Sequence, residues 1–198
     1  FAWVHYFDSH QPYQSPLQRL PRFAIRPYDA EIAYVDVELG RLLGKLDDLG
    51  ERDKTVIVVA GDHGEALGEH GEPTHGMLIY ESTMRVPLIV SCTALFDGAY
   101  YIADRVVGLT DVRPTVEDLL GVTGSPPVDG ESLLRSGADE DRAIYVETEM
   151  PLSLAGWSPL PGLRTHNHKY ILAPQRELYD RRKDQAESHN IYSTGDPA

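Results

Sequence analysis

The tightest constraint in the sequence is the join between an apolar run and a crowd of polar side chains in residues 55–81, TVIVVAGDHGEALGEHGEPTHGMLIYE. Val56, Ile57, Val58 and Val59 are a β-branched run too short for a comfortable helix and without polar alternation. That pattern predicts a strand buried on both faces of a parallel sheet. Asp62-His63-Gly64-Glu65 follows at once. Open α/β sheets place ligands just outside the carboxyl ends of their strands, so the site is expected where this strand stops.

Length and composition bound the rest. A chain of 198 residues with 41% hydrophobic side chains can bury a core and should form one domain, or one plus a small appendage. No stretch approaches the ~20 consecutive apolar residues of a membrane helix, and no secretory signal pattern opens the chain. Phe1 is not Met, and a start inside the apolar run Phe1-Ala2-Trp3-Val4 reads as a fragment or a processed product. Cytoplasm, periplasm and secretion are all compatible with this sequence. A net charge of −13 argues against general nucleic-acid binding, which is built from Lys and Arg. An anionic small substrate stays compatible, because a bound cation or a local group of His, Lys and Arg overrides the global field. The single cysteine, Cys92, excludes an internal disulfide and is expected to be a small buried hydrophobe.

In chain order, residues 1–7 read as a second buried strand, followed by Asp8, Ser9, His10 and Gln11. Residues 14–27, with Pro16, Pro21 and Pro27, predict a surface loop. From Asp29 to Leu49, Ile32, Val35, Leu39, Leu42, Leu43 and Leu46 recur at helical spacing, with Asp29 to cap the start and Gly50 to end it. Strand, helix and strand then make a right-handed βαβ unit whose parallel strands turn Asp8 and His10 towards Asp62 and His63. Residues 86–90 predict a strand and 111–121 a short helix capped by Thr110 or Asp111. The Gly-, Pro- and Asp-rich stretch 123–141 marks a soft boundary. Beyond it, 143–147 predicts a strand, 162–172 a hairpin turning near Asn167, and the tail from Glu177 a polar segment packed through Leu178, Tyr179 and Ile191.

Asp62 and His63 offer a carboxylate oxygen and an imidazole nitrogen to one divalent cation, with glycines on either side that free the turn. Equally compatible is a capping role for Asp62 beside a packed His63. Asp8 and His10, two apart, share a face on extended backbone, so one can ligate while the other meets substrate. His5 reads as a residue of the core or just behind the site. His70 and His75 lie in a glycine-rich loop whose Glu65, Glu69 and Glu72 read as solvated. Trp157 reads as either a stacking platform or a packed aromatic, and Arg85 with Glu81 as a structural pair.

The series HYFDSHQPY, YDAEIAYVDVELGRLLGKL, GDHGEALGEHGEPTHGMLIYESTMRVPLIV and LTDVRPTVEDLLGV resembles the sulfatase family of the alkaline-phosphatase-like superfamily. GWSPLPGLRTHNHKYILAPQRELYD is similar to the C-terminal part of bacterial sulfatases. The resemblance implies a mixed, mostly parallel α/β sheet flanked by helices. It implies that residues 1–140 are the C-terminal portion of that core, a partial domain, and that 141–198 form a small antiparallel β-hairpin and helix subdomain. It makes Asp62 and His63 ligands of one divalent cation. Calcium is usual there, while a nitrogen ligand, His63, moves preference towards manganese or zinc. It gives His10 a contact to the sulfate and the protonation of the leaving oxygen, and His75 the binding of the sulfate group. Both roles suit a sulfate ester, which needs positive charge on its non-bridging oxygens and a proton for the departing alkoxide.

The formylglycine nucleophile of such enzymes comes from C/S-x-P/A-x-R. Neither Cys92-Thr93-Ala94-Leu95-Phe96 nor Ser15-Pro16-Leu17-Gln18-Arg19 fits it. The expected chain is therefore the C-terminal half of a sulfate-ester hydrolase, inactive alone, whose partners are a small sulfate or phosphate ester and the enzyme's own N-terminal half. The alternatives are a phosphonate monoester or phosphodiester hydrolase or phosphoglycerol transferase of the same superfamily, and a non-catalytic binding remnant.

Overall fold

The computed structural model describes residues 1–96, 102, 105–134 and 142–192. Residues 135–141, part of the expected boundary stretch, lie outside the described residues. The chain divides into two compact units, Phe1–Ile57 with Val90–Tyr100 and Val58–Ile89 with Tyr101–Ala198. Among the described residues no helix is long and apolar enough to cross a membrane.

The first unit is built on α1, Pro27–Asp48. Pro27 takes the first helical position, where its missing N–H costs nothing. Asp29 sits in the first turn, and not at the cap, where its charge meets the helix dipole. The helix ends as expected, at Gly50 with φ +67°, whose N–H donates to Asp47 O at 3.0 Å. Of the apolar stripe, Val35, Leu39, Leu43 and Leu46 are half-buried, whereas Ile32, Leu42 and Leu49 are exposed. The proline-rich stretch is not featureless: Pro16–Arg19 and Pro21–Phe23 form 3₁₀ turns. Ser15 Oγ ties them to α1 by donating to Ala30 O at 3.0 Å. Residues 1–7 do not form the expected strand. A strand persists only with a paired neighbour, and here Phe1, Trp3, Val4 and Phe7 are exposed, as is His5, which is no core residue. The βαβ unit expected from that strand is absent with it.

Two short strands, β1 (Ile57–Ala60) and β2 (Leu88–Ser91), are hydrogen-bonded neighbours, with Pro87 just before β2. Between them lie the polar loop and a one-turn helix, α2 (Glu81–Met84). A second short helix, α3 (Thr93–Phe96), follows Cys92, which is buried and free as expected.

In the second unit α4 (Val112–Leu120) follows a 3₁₀ turn at Leu109–Asp111. Asp111 does not cap it. Its fully buried carboxylate instead accepts from the N–H groups of Gly108 and Glu131, both at 2.8 Å, and from Arg142 at 2.6 and 2.9 Å. The remaining strands form an antiparallel meander in the order β3 (Ile144–Thr148), β4 (Leu160–Arg164), β5 (His168–Ile171), β6 (Glu177–Asp180). Helix α5 (Met150–Ala155) links β3 and β4. Gly162 faces Ile171 across the hairpin, which turns at Thr165–His168, close to Asn167. The tail is more ordered than its polarity predicts: Glu177–Asp180 completes the sheet, and Asp180, Arg181 and Glu187 are buried beside Tyr179. The core of this unit is Ile79, Ile171 and Tyr179, with Tyr80, Met84, Val146 and Leu160 against it. The loop that leaves β1 therefore ends inside the C-terminal sheet's own core.

Burial raises the Asp111 carboxyl, but its bonds to Arg142 and to the two backbone N–H groups outweigh that and hold it below the usual carboxylate range. A depressed folded value means that the stabilisation is complete above about pH 4 and fades as pH falls through the folded value. Asp111→Asn is expected to lower stability at pH 7 by about 3 kcal/mol and to flatten the acid limb of a stability–pH curve measured by urea unfolding.

Candidate active site

The site is assembled by the loop after β1. Gly61 N–H donates to Pro87 O at 3.1 Å, which carries the chain one step past the strand. Gly64 N–H donates to Thr83 O, and Ala66 N–H to Thr74 O, both at 2.7 Å. A Cβ at Gly64 would lie 2.3 Å from Ser82 O, so only glycine admits this approach. Glu72, which the sequence places in a solvated loop, is buried, and its Oε1 accepts from Met77 N–H at 2.7 Å and Leu78 N–H at 3.3 Å. The loop is thus fastened at both ends by its own backbone and by a carboxylate.

Asp62 and His63 stand at the strand end with exposed side chains, Asp62 Oδ2 lying 3.9 Å from His63 Nε2. His63 Nδ1 faces Gly64 O at 2.9 Å. A carbonyl only accepts, so Nδ1 is the donor of this bond. The His75 ring stacks on His63 with centroids 4.0 Å apart and planes inclined by 28°. Its Nδ1 lies 3.0 Å from Glu65 Oε1, and the Glu65 side chain is only 3% exposed. The fold therefore brings together Asp62, His63 and His75, and adds Glu65. His10 belongs to the other unit, half-buried, with Nδ1 2.7 Å from Gln11 O and its ring stacked on Phe7 at 5.0 Å.

A carboxylate oxygen and an imidazole nitrogen on adjacent residues suit one divalent cation, so the donors present fit the metal that the fold implies. They fit as a pair: among the described residues no group of three or more His, Cys, Asp or Glu side chains is placed to hold a metal ion.

The sulfatase family model matches residues 1–122. The chain belongs to the sulfatase family. It is 30% identical over 174 residues to a choline-sulfatase of Rhizobium meliloti, covering 84% of this chain and 32% of that one. It is 30% identical over 185 residues to an N-acetylglucosamine-6-O-sulfatase of Bacteroides thetaiotaomicron, covering 88% and 33%. A protein solved in complex with its substrate D-glucosamine-2-N,6-O-disulfate superposes with a TM-score of 0.68 at 31% identity, over 85% of this chain and 36% of that one. The phosphonate monoester hydrolase of Agrobacterium radiobacter superposes with a TM-score of 0.73 at 26% identity, over 88% and 38%. This sulfatase chain spans about a third of the length of the curated relatives it matches. Its mixed α/β architecture with an antiparallel sheet matches the sulfatase structures.

Three features around the loop after β1 and the C-terminal sheet escape the sequence. Glu65 and Glu72 are buried and bonded while Glu69 is exposed, yet the three share composition and surroundings. The nearest signal is the small pair Gly64 and Ala66 flanking Glu65, with Ala66 fully buried. Glu81 does not pair with Arg85, which is exposed; its carboxylate meets Arg164 at 3.2 Å, Lys169 at 3.3 Å and Arg181 at 3.2 Å. Trp157 is 64% exposed, so it is not packed under the hairpin, and it lines an apolar groove of about 270 Å³ with Leu78, Tyr80, Leu160 and Pro174.

Gly64→Ala is expected to push the Asp62–His63 turn off Thr83 and cost about 1–3 kcal/mol, read as a lower thermal midpoint together with weaker divalent-cation retention.

Proposed function

We propose that this chain is the C-terminal portion of a sulfate-ester hydrolase and carries the half of its site that binds metal and sulfate. The observation that carries the reading is the grouping of Asp62, His63 and His75 at one strand end, in a chain whose 30%-identical relatives are sulfatases. The fold proposed for the whole is the mostly parallel alkaline-phosphatase-like sheet. In it, 1–140 supply part of the core and 141–198 the appended β subdomain.

Asp62 and His63 would hold one divalent cation. When bound, that cation supplies positive charge to the sulfate group and to the nucleophile. Calcium is the family's usual ion, and the nitrogen donor of His63 favours manganese or zinc over it. The nucleophile, a formylglycine, is proposed to come from the N-terminal half of the same enzyme, since no C/S-x-P/A-x-R pattern occurs in the 198 residues. His75 is the proposed binder of the sulfate oxygens. His10, with Nδ1–H directed to Gln11 O, would contact the ester through Nε2 and, as the doubly protonated imidazolium, give the Nε2 proton to the leaving oxygen. The substrate is a small-molecule sulfate ester. A phosphonate or phosphodiester hydrolase of the same superfamily is the second reading, supported by the likeness to the phosphonate monoester hydrolase and by no side chain here that prefers phosphorus.

Asp62→Ala should abolish retention of the divalent cation in the protein made from its complete gene, measured by elemental analysis after gel filtration. Unchanged metal stoichiometry would overturn the ligand assignment. The 198-residue chain alone should give no turnover of a chromogenic aryl sulfate, and robust hydrolysis by pure material would show that it needs no partner half.

A further inference from the structure

Trp157 and the groove of about 270 Å³ that it lines have no part in the roles assigned so far. The groove has two walls: residues 77–80 form one, and Pro151 of α5 with Trp157 just beyond the helix forms the other. Both walls start at Gly76. Met77 follows that glycine directly. On the other side Thr148 Oγ1 donates to Gly76 O, and the Met150 sulfur lies 2.7 Å from where a Cβ at Gly76 would stand. Gly76 itself follows His75, and two residues of chain span at most about 7 Å. One end of the groove therefore begins beside the histidine assigned to the sulfate.

The lining narrows the occupant. Pockets for drug-sized ligands run to about 300–1,000 Å³, so this one holds a single ring and not an oligosaccharide. The side chains of Pro151, Leu160 and Pro174 offer no hydrogen bonds, and sugar hydroxyls buried against them would be left unpaired. Trp157 is 64% exposed, so its indole is available to stack on a ring. Glu177 is the one charged residue among the described residues that line the groove, and its Oε2 accepts from Tyr80 OH at 2.8 Å and Tyr179 OH at 2.6 Å. A carboxylate so placed repels a second sulfate group. We infer that the groove binds the organic part of the sulfate ester, and that this part is an uncharged aromatic or other apolar ring stacked on Trp157. The inference rests on the sulfatase reading for the sulfate that His75 would hold.

The test compares wild type, Trp157→Phe and Trp157→Ala in the protein expressed from its complete gene, with thermal midpoints to verify folding. Two quantities are read: selectivity for 4-nitrophenyl sulfate over methyl sulfate, as the ratio of their kcat/KM values, and affinity for phenol by NMR titration, which needs no turnover. Trp157→Ala should lower the selectivity by about tenfold and weaken phenol binding by about as much, whereas Phe keeps a ring in place and should hold both within about threefold of wild type. Unchanged selectivity in Trp157→Ala, equal losses on the two esters, or a wild-type preference for a disulfated sugar would each overturn the inference. A groove already covered by another part of the enzyme or by a second copy would show as wild-type protein that does not bind phenol, and that also overturns it. Wild-type protein that binds phenol through Trp157 yet cleaves neither ester overturns the sulfatase reading and with it the assigned occupant, a result distinct from the others. Should Trp157→Ala not fold, the indole N–H resonance of Trp157 in wild type carries the decision: a shift on adding phenol supports the assignment, and none refutes it.

Discussion

The arrangement of the second unit depends on the carboxylate of Glu81. Glu81 opens α2, directly behind the site loop, and lies against Arg164 at the end of β4, Lys169 on β5 and Arg181 beyond β6. Lys169 is fully buried and reaches a second carboxylate, Glu187, at 3.6 Å; Glu187 in turn accepts the Glu81 N–H at 2.7 Å. Burial raises the Glu81 carboxyl, but Lys169, Arg164 and Arg181 together hold it below its usual range. Burial also pushes the Lys169 ammonium down and the Glu187 carboxyl up, a cost that their attraction to opposite charges only partly offsets. Such a cluster adds little net stability over an apolar core, yet breaking it by removing one member leaves an unpaired buried charge, worth about 3–5 kcal/mol. Its value here is specificity of placement: one carboxylate can satisfy three cations from three strands' ends only in a single docking of the loop on the sheet.

From that anchor the order propagates along the chain. Glu81 fixes α2, α2 presents Thr83 O to Gly64 N–H, and Gly64 lies one residue from His63. At the other end Ile79 enters the core with Ile171 and Tyr179, and Glu72 takes up the N–H groups of Met77 and Leu78. A loop with left-handed residues at Leu67, Gly68, His70, Gly71 and Gly76 would otherwise be among the softest parts of the molecule. Its conformational entropy is removed in advance by buried carboxylates, so that the histidines it carries are already placed when a ligand arrives.

Periodicity made α1, β1, β2, α4, β3 and the β4–β5 hairpin legible, because each follows from local spacing or a turn residue, as Gly50 does for the end of α1. Residues 1–7 mislead for the same reason: FAWVHYF has a strand's composition, but a strand is a relation between two segments and composition describes only one. β6 was hidden by its charges, since Glu177, Asp180 and Arg181 look solvated until Tyr80, Arg182 and Glu81 are found beside them. The strand-end position of Asp62 and His63 was readable from the sequence. Glu65 was not, because whether a glutamate faces water or a histidine ten residues away is a tertiary fact that no local pattern encodes.

The two stacked histidines are distinguished by the acceptors given to them. His63 points Nδ1 at a neutral carbonyl, Gly64 O, and His75 points Nδ1 at the carboxylate of Glu65. The two rings lie with centroids 4.0 Å apart and planes inclined by 28°. His63 also has a carboxylate beside it, Asp62 Oδ2 lying 3.9 Å from its Nε2. Neighbouring residues of one type thereby meet different acceptors, and the difference between them lies in the backbone route that brings Glu65 under His75 rather than under His63.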